Sequence, residues 1–541
     1  MNNRVPSPLS ALTLLLSLFL VVGAPRADAC DQHDRPCRSI AGAITHNSVP
    51  ASGALISATA RRSEITFSTF SGLDGRYRLV LGADDDYDLK AESGVLAAPA
   101  RTIVAGVDSV QTHDLKLADD PDFRARIPSA AWLELLPDGD MKREFLLNCT
   151  SCHEIDAARL LVDGKPRTSQ QWTEAFALMR AIDQYELLPP DFDDAAYVAW
   201  ITRHLDADRV DALTPPRPEN IERLANVRIT EYPLPAAQAL PHDLVIGPAG
   251  RVWITAFFGD VIWALDAASG DYQTYTIRPA GAEGWGQARA LVFDRNGHLW
   301  IVLGGTHELV RLDPASGQFK TFAIGMYAHS LALDGRGRIW FNDYFARTEQ
   351  IGVFDPATET VTHFDIPSAG LTEAQGLPLP YGLQIDGTGR LYSTQLAGNT
   401  VVMYDTNDGT SKLYAMPGDN LGPRRPAIGP GNQLWIPEWT TGHLTRFDPA
   451  DESFTRFVIG PGALGGYDAE TDPRSGEIWV TGALASSMVL FNPGDHSVLT
   501  IPLPSNPAYT RHLAVDPKTG DLWSAYSSLP AATPRVVRIE R

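Results

Sequence analysis

The pattern of apolar and polar positions changes twice along the chain and so divides it into three segments. In residues 38–118 apolar and polar positions alternate, with turn residues at short spacing, as in SIAGAITHN, GALISATAR and SVQTHDLKLA. Alternation with a period of two predicts short strands. About seven such strands predict an all-β sandwich.

Residues 120–212 carry apolar residues at helical spacing instead. Four stretches show this pattern: SAAWLELLP, DMKREFLLNCTSCHEIDAARLL, SQQWTEAFALMRAI and DDAAYVAWITRHL. Asp193 and Asp194 supply acid at the start of the last stretch, as a helix N-terminus prefers, and the proline-rich linker 213–220 follows it. We expect a small all-α domain here, so that the whole protein is multidomain and mainly β.

Residues 221–541 repeat one phrase seven times, from GRVWITAF to GDLWSAYS. Successive aromatic markers are 40 to 52 residues apart, which is the length of a four-stranded propeller blade. The markers are Trp253, Trp300, Trp340, Tyr392, Trp435, Trp479 and Trp523. The sequence therefore predicts a seven-bladed β-propeller. Because the last repeat lacks an outer strand, we expect the strand at 227–235 to complete that blade and close the ring.

A large polar residue stands about eleven positions before each aromatic marker, where the innermost strand of a blade begins. These residues are His242, Arg289, His329, Tyr381, Arg425, Tyr467 and His512. Equivalent positions in seven blades must form a ring around one end of the channel. The ring predicts a ligand-binding mouth, with a plain channel plug as the alternative.

A second series of side chains follows the markers by three positions and includes Asp343, Gln395 and Glu438 on successive blades. Glu438 and Asp343 could converge with His329 for acid–base catalysis, or hold a hard cation such as Mg²⁺ or Ca²⁺. The alternative is that they are solvated carboxylates that pair with arginines of the ring.

Composition, charge and the N-terminal segment limit the classes of function that the chain can have. The formal net charge of −20 argues against nucleic-acid binding, because little positive charge is left to neutralise phosphates. Residues 1–29 have the basic start, apolar stretch and small-residue cleavage site of a secretory signal, which predicts a periplasmic or secreted protein without a transmembrane segment. In that compartment we expect a Cys30–Cys37 disulfide, with lipid attachment at Cys30 as the alternative.

The helical segment contains Cys149, Cys152 and His153 in the order C-x-x-C-H. Two cysteines at this spacing can form thioethers with a haem, and the adjacent histidine then binds the iron. A zinc site would need two more soft ligands, and a redox dithiol would sit between strands rather than helices. We therefore expect one covalent haem c.

Met179 supplies a candidate second iron ligand, with Trp172 and Phe176 before it on the same stretch. The W-x-x-x-F-x-x-M arrangement resembles that of small monohaem cytochromes c. His204 is the rival ligand, and plain core packing is the alternative role for Met179. A covalent haem also implies a periplasmic electron-transfer partner.

Two further segments resemble known families. Gly42-Ala43-Ile44, Gly53-Ala54-Leu55-Ile56 and the run from Asp74 to Leu79 resemble the carboxypeptidase regulatory-like domain, a transthyretin-like sandwich. Residues 225–541, with PHDLVIGPAGRVWITAF and LWIPEWTTGHLTRFDP, resemble the streptogramin lyase (virginiamycin B lyase) family. That resemblance implies a carbon–oxygen lyase, assisted by magnesium, in which Glu438 matches the catalytic glutamate.

This chain departs from the lyase pattern at two places. Thr440 stands where the catalytic histidine is expected, and Ala397 occupies the same place one blade earlier. The departures favour a redox protein whose propeller binds, and oxidises, a small substrate. A lyase with an accessory haem domain is the alternative, and a non-catalytic scaffold is a third.

Overall fold

The structure is a computed structural model that describes residues 38–82, 85–104, 110–182, 188–279, 281–528 and 532–541. The expected signal segment and the predicted Cys30–Cys37 pair, like the alternative lipid site at Cys30, lie outside these residues. Among the helices described here, none is long and apolar enough to cross a membrane.

The described residues of the N-terminal segment form ten strands. They are β1 (Arg38–His46), β2 (Val49–Pro50), β3 (Leu55–Ala60), β4 (Thr66–Phe70), β5 (Arg76–Leu81), β6 (Asp86–Ser93), β7 (Leu96–Val104), β8 (Val110–Thr112), β9 (Leu115–Lys116) and β10 (Ala118–Asp119). One sheet holds β1, β2, β5, β8 and β9, and a second runs β10-β7-β6-β3-β4. Apolar side chains of both sheets share one core, among them Ile40, Leu79 and Leu89. The transthyretin-like identity stays a prediction.

The middle segment contains most of the helices and one short hairpin. In chain order these are α1 (Ser129–Leu133), α2 (Asp140–Cys149), α3 (Ala157–Leu160), β11 (Leu161–Val162), β12 (Lys165–Pro166), α4 (Ser169–Ile182), α5 (Asp194–His204), α6 (Ala207–Ala212) and α7 (Ile221–Leu224). The Asp193 side chain caps α5 by accepting the N–H of Ala196 at 3.0 Å.

Residues 228–540 build seven four-stranded antiparallel blades. Blade 1 contains β14 (Pro241–Ile246), β15 (Val252–Ala256), β16 (Val261–Asp266) and β17 (Asp271–Thr276). Blade 2 contains β18 (Ala288–Phe293), β19 (Leu299–Leu303), β20 (Glu308–Leu312) and β21 (Phe319–Ala323). Blade 3 contains β22 (Ala328–Leu333), β23 (Ile339–Asp343), β24 (Gln350–Asp355) and β25 (Thr360–Asp365).

The later blades follow the same order from the channel outward. Blade 4 contains β26 (Pro380–Ile385), β27 (Arg390–Gln395), β28 (Thr400–Asp405) and β29 (Ser411–Ala415). Blade 5 contains β30 (Ala427–Ile428), β31 (Leu434–Pro437), β32 (His443–Asp448) and β33 (Ser453–Val458). Blade 6 contains β34 (Gly466–Thr471), β35 (Ile478–Gly482), β36 (Ser487–Phe491) and β37 (Val498–Pro502). Blade 7 contains β38 (Thr510–Val515), β39 (Leu522–Ser528), β40 (Ala532–Glu540) and, as its outer strand, β13 (Arg228–Pro233).

The repeated phrase has a local cause, which blade 3 illustrates. Asp334 ends the inner strand, and its Oδ1 accepts the backbone N–H of Arg338 at 2.9 Å. Its Oδ2 accepts the indole N–H of Trp340 at 3.0 Å. Gly337 provides the positive φ of +80° that the turn between them requires. In blades 2, 3 and 4 the aspartate, the glycine and the aromatic marker occur together because one turn uses all three.

The first strand of the propeller closes its last blade. β13 pairs antiparallel with β40, from Arg228 opposite Glu540 to Pro233 opposite Arg535. The other edge of β13 pairs with β4, so the second N-terminal sheet and blade 7 form one nine-stranded sheet. The edge strand of the propeller is thereby covered.

The helical segment packs onto the end of the propeller that carries the predicted ring. One buried cluster unites helical residues such as Leu146 and Phe176 with propeller residues such as Trp439, Tyr467 and Tyr509. The helices thus share a core with the mouth of the channel.

Candidate functional site

The seven side chains predicted to form a ring lie together at one end of the channel. Each lies on, or directly beside, the innermost strand of its blade. Six are at most 8% exposed, and the His512 side chain is 26% exposed. The structure therefore brings the ring together, while ligand binding by it stays a prediction.

His242 and Asp243 form a buried imidazole–carboxylate pair in the ring. His242 Nδ1 donates to Asp243 Oδ1 at 2.7 Å, and Arg425 Nη1 donates to Oδ2 of the same carboxylate at 2.6 Å. Burial, with Arg289 and Arg425 nearby, lowers the pKa of His242 to about 3, although Asp243 opposes this. The imidazole is therefore neutral, and its Nε2 accepts a hydrogen bond from Arg289 Nη1 at 3.4 Å.

Burial by itself would raise the pKa of Asp243. Arg425 and His512 outweigh that effect and hold this pKa below its usual value, so the carboxyl group is ionised. An ionised carboxylate behind a neutral histidine fixes the ring tautomer and leaves the other ring nitrogen as the acceptor of the hydrogen bond from Arg289.

His329 is fully buried beside this pair. Its Nδ1 lies 3.1 Å from the carbonyl oxygen of Tyr381, and its ring centre lies 5.3 Å from that of His242. Burial and the cations Arg289 and Arg425 hold the pKa of His329 well below its usual value. His329 Nε2 has no hydrogen-bond partner among the described residues, so it is a free acceptor in the ring.

Arg424 is a second buried arginine, directly before the ring residue Arg425. Its guanidinium carbon lies 3.8 Å from the ring centre of Trp439 and 4.4 Å from that of Tyr467. Nη1 donates to the Tyr381 hydroxyl at 2.7 Å, and that hydroxyl lies 2.5 Å from the Tyr467 hydroxyl. The aromatic faces offset part of the cost of burying the charge.

A small cavity of about 60 Å³ lies in the channel and is lined by Asp243, Arg425, Asp468 and His512, among others. His512 Nε2 lies 3.9 Å from Asp243 Oδ2 and 3.7 Å from Asp468 Oδ2. Burial raises the pKa of Asp468 to about 6, although His512 and Arg425 oppose this. Asp468 can therefore exchange a proton near neutral pH.

The structure does not bring Glu438 into the ring. Its buried carboxylate accepts hydrogen bonds from Arg456 Nε at 2.8 Å, from Arg456 Nη2 at 2.6 Å, from Thr445 Oγ1 at 2.5 Å and from Thr441 Oγ1. These partners lie in the outer part of its own blade. The carboxylate is therefore neutralised by an ion pair rather than placed beside His329.

Asp343 is also separate from the ring. Its side chain is half-buried, and burial raises its pKa, while backbone N–H groups of Tyr327 and Phe345 oppose this. The histidines that influence it are His307 and His363 rather than His329. Within the described parts of the chain, no group of three His, Cys, Asp or Glu side chains could hold a metal ion. The Mg²⁺ or Ca²⁺ site stays a prediction.

The C-x-x-C-H loop lies directly on the mouth of the propeller. Trp439 Nε1 donates to the carbonyl oxygen of Leu146 at 3.0 Å and lies 3.1 Å from Thr150 Oγ1. The Tyr509 hydroxyl donates to the carbonyl oxygens of Thr150 and Ser151, at 3.0 and 2.7 Å. All of these contacts join the helical segment to blades 5 and 7.

Two arginines complete the attachment of the loop. Arg424 Nη2 donates to Ser151 Oγ at 3.0 Å, and Arg511 Nη2 donates to the carbonyl oxygen of Cys152 at 3.1 Å. Arg424 and Arg511 each precede a ring residue in sequence. The motif loop is therefore held by direct neighbours of the ring.

The motif residues have the chemistry that a covalent haem requires. Cys149 is half-buried, and Cys152 is exposed. His153 Nδ1 lies 2.9 Å from the carbonyl oxygen of Glu154, and burial lowers the pKa of His153. The imidazole is thus neutral, with Nδ1–H donated to a carbonyl and Nε2 left to bind iron.

Helix α4 offers two further features that fit a haem. The indole nitrogen of Trp172 is buried and has no hydrogen-bond partner among the described residues, so it can donate to a haem carboxylate. Met179 is half-buried on the same helix, between Leu178 and Ile182, which are each 56% exposed. His204, the rival ligand, is half-buried and stacks edge-on against Trp200. Axial ligation by Met179 stays a prediction.

A larger cleft of about 430 Å³ lies away from the ring, where the N-terminal sheets, the linker at 213–220 and the last blades meet. Its charged groups are paired with one another or with the backbone, for example Lys90 with Glu92 at 3.1 Å and Arg126 Nη2 with the carbonyl oxygen of Gly94 at 2.8 Å. We assign no chemistry to this cleft.

Several residues of the site were not identified from the sequence. Asp243, Arg424 and Arg511 each stand next to a ring residue, and this adjacency is the signal that could have identified them. Trp439 and Tyr509 give no comparable signal, because their role depends on how the helical segment docks.

Comparison with known proteins concerns the propeller. A family model described as the virginiamycin B lyase family matches residues 227–532. Among solved structures, a streptogramin B lyase is 17% identical, with a TM-score of 0.50, over 58% of this chain and 97% of that one. Virginiamycin B lyase from Staphylococcus aureus is 16% identical, with a TM-score of 0.51, over 58% of this chain and 100% of that one. At these identities the similarity shows the fold alone. No curated protein sequence matches the chain.

Proposed function

The chain belongs to the virginiamycin B lyase family through residues 227–532, and we propose that it is an exported electron-transfer protein built on that propeller. In this proposal the ring binds a small substrate and oxidises it. Cys149 and Cys152 would hold a haem c covalently, with His153 and Met179 as its iron ligands, and the group would supply the electron acceptor that connects the mouth to a periplasmic partner.

The observation that carries the proposal is the position of the motif loop. Thr150, Ser151 and Cys152 each accept a hydrogen bond from a propeller side chain. The donors are Tyr509, Arg424 and Arg511, and the two arginines each precede a ring residue in sequence. A haem domain that served only as a tether would not need its attachment loop against a ligand-binding mouth. The contacts therefore favour a shared function for the two domains.

A bound haem c supplies a one-electron acceptor. The residues of the chain supply the rest. His242 is kept neutral and is oriented by Asp243, and its Nε2 accepts from Arg289 and so positions that guanidinium in the ring. Asp468, whose Oδ2 lies 3.7 Å from His512 Nε2, can exchange a proton within the channel. The helical segment packs on the mouth of the channel and shields the ring from water.

A carbon–oxygen lyase is the second candidate, and family membership is the observation that favours it. Two features of this chain weigh against it. The carboxylate of Glu438 is already engaged by Arg456, Thr445 and Thr441, and position 440 is threonine. A non-catalytic scaffold is a third candidate, which the buried His242–Asp243 pair disfavours.

One experiment separates these functions. The full-length protein is produced in a host with haem-attachment machinery, and its reduction is followed by absorbance with candidate substrates. We expect reduction in the wild type and in Glu438→Gln, because the proposal gives Glu438 a structural role. Turnover of a cyclic depsipeptide without haem reduction, abolished in Glu438→Gln, would establish the lyase instead.

A further inference from the structure

Arg289 is a buried cation in the ring without a carboxylate partner. Its side chain is 8% exposed, and no Asp or Glu oxygen of the described residues lies within 4.0 Å of it. The guanidinium stacks on aromatic faces instead, at 5.0 Å from the ring centre of Phe257, 4.9 Å from Tyr327 and 5.5 Å from Tyr344. A buried charge of this kind favours the binding of an anion.

The hydrogen bonds of Arg289 leave two donors free. Nε and Nη2 both donate to the Tyr327 hydroxyl, at 3.1 and 2.7 Å, and Nη1 donates to His242 Nε2 at 3.4 Å. A guanidinium has five N–H groups, so one remains on each terminal nitrogen. Two N–H groups on the terminal nitrogens of a guanidinium can bind a carboxylate through two hydrogen bonds.

The surroundings of Arg289 are positively charged, although the whole chain is acidic. Arg425 is paired with Asp243, but Arg424 and Arg511 have no carboxylate within 4.0 Å among the described residues. Arg511 is 6% exposed, and its Nη1 has no hydrogen-bond partner there. The mouth thus contains three arginines that no carboxylate of the described residues neutralises.

An aromatic path leads from the surface to Arg289. Trp285 and Phe258 are 58% and 48% exposed and meet edge-on at 5.6 Å between ring centres. Phe258 meets Phe257 at 4.9 Å, and Phe257 lies on Arg289. The helical segment shares its buried core with blades 3 to 7, but these three rings of blades 1 and 2 are not part of that core.

The segment that carries Trp285 is anchored. Arg278 Nη1 donates to Asp260 Oδ2 and to the carbonyl oxygen of Gly284, both at 2.9 Å. The N–H of Gly286 donates to Asp260 Oδ1 at 3.1 Å. Trp285 is therefore held between two fixed residues, and its exposed ring is a defined part of the surface beside the mouth.

We propose that this part of the mouth binds a small aromatic carboxylate. Its carboxylate occupies the free fork of Arg289, and its ring packs along Phe257, Phe258 and Trp285. The inference rests on the proposed function and supplies its substrate class, because Tyr344 contacts Arg289 and belongs to the buried cluster against which Cys149 packs. A bound ring would thus lie near the haem-attachment loop.

The test is titration calorimetry on the full-length holoprotein with benzoate and 4-hydroxybenzoate. We expect both to bind, and cyclohexanecarboxylate and benzyl alcohol to bind more weakly, because the first lacks the aromatic ring and the second the charge. Arg289→Gln should weaken benzoate binding about tenfold to a hundredfold, since it removes a charge-assisted fork. Trp285→Ala should weaken it about threefold to tenfold.

The matched control is Arg295→Gln, which removes an exposed arginine from the turn after β18 of the same blade. It should leave benzoate binding unchanged. Arg289→Lys keeps the charge but not the fork, and should bind less tightly than the wild type even if Arg289→Gln folds poorly. Equal benzoate affinity in wild type and Arg289→Lys, or no binding by the wild type, would overturn the inference.

Binding and haem reduction are separate readouts, so the two proposals can fail separately. Benzoates that bind without any compound reducing the haem would leave the anion site standing and refute the electron-transfer function. Reduction of the haem by an unrelated compound, with no benzoate binding, would refute the anion site alone.

Discussion

Glu438 shows how the partners of one side chain decide its role. The carboxylate is fully buried, while its partner Arg456 is 29% exposed and belongs to the outer strand of the blade. The spacing of the repeats puts Glu438 three positions after its aromatic marker, Trp435. It could not show that the side chain meets Arg456, because that contact depends on the geometry between strands rather than on one strand's pattern.

Replacement of Glu438 should therefore affect stability rather than electron transfer. Glu438→Ala leaves a partly buried arginine without its ion pair, and we expect a loss of about 2–3 kcal/mol in unfolding free energy. Thermal melts would measure it. Glu452→Ala is the control, because the Lys412–Glu452 pair is about half exposed and should contribute much less to stability. Equal effects of the two substitutions would contradict this role.

Asp468 gives a second prediction at this scale. Its folded-state pKa of about 6 lies above the ordinary value of 3.8, so between these pH values the folded protein binds more protons than the unfolded one. Stability therefore falls as the pH rises through this window, by about 3 kcal/mol at most. Asp468→Asn removes the titration.

We accordingly expect Asp468→Asn to melt above the wild type at pH 7 and to lose that advantage near pH 4. Melting curves from pH 4 to pH 8 would show it. A difference in melting temperature that does not change with pH would contradict the raised pKa.

At the scale of elements, the motif loop depends on hydrogen bonds from the propeller. Trp439→Phe removes the donor to Leu146 and Thr150 but keeps the ring. We expect docking of the helical segment to weaken by about 1 kcal/mol, and the linker at 213–220 to be cleaved faster in limited proteolysis. Trp300→Phe is the control, because its indole donates to Asp294 within blade 2. Equal cleavage rates in the two variants would argue against this docking.

The edge of the propeller gives another prediction. Thr230 of β13 pairs with Phe67 of β4 on one side and with Arg538 of β40 on the other. A chain that begins after β10 would expose one edge of β13, so we expect it to aggregate at concentrations where the full-length protein stays monodisperse. Light scattering on the two proteins would check this; equal behaviour would mean that the edge needs no cover.

These elements also show what the sequence could predict. The period of the repeats predicted the propeller, and the incomplete last repeat predicted that β13 would pair with β40. The pairing of β13 with β4 was not predictable, because alternation marks strands but does not specify which sheet a strand joins. The ring could be predicted because its residues occupy equivalent positions in seven blades. The contacts of Trp439 and Tyr509 could not, because they depend on how the helical segment packs on the propeller.

At the scale of the whole molecule, the N-terminal sheets and the helical segment both pack against the propeller, the former at the edge of blade 7 and the latter on the mouth of the channel. The propeller is closed and its edge covered by the N-terminal sheet, and the helical segment forms a roof on the mouth. The Cys149–His153 loop lies where that roof meets the ring. The central claim is that this loop carries a covalent haem c, and that the mouth beneath it acts on the substrate.

The most direct test is the mass of the proteolytic peptide that contains Cys149 and Cys152. The full-length protein, made in a host with haem-attachment machinery, is first extracted with acid–acetone. The account predicts a peptide that retains one haem through both cysteines, and a colourless protein when both are replaced by alanine. A wild-type peptide with two free thiols, or with a disulfide and no haem, would contradict it.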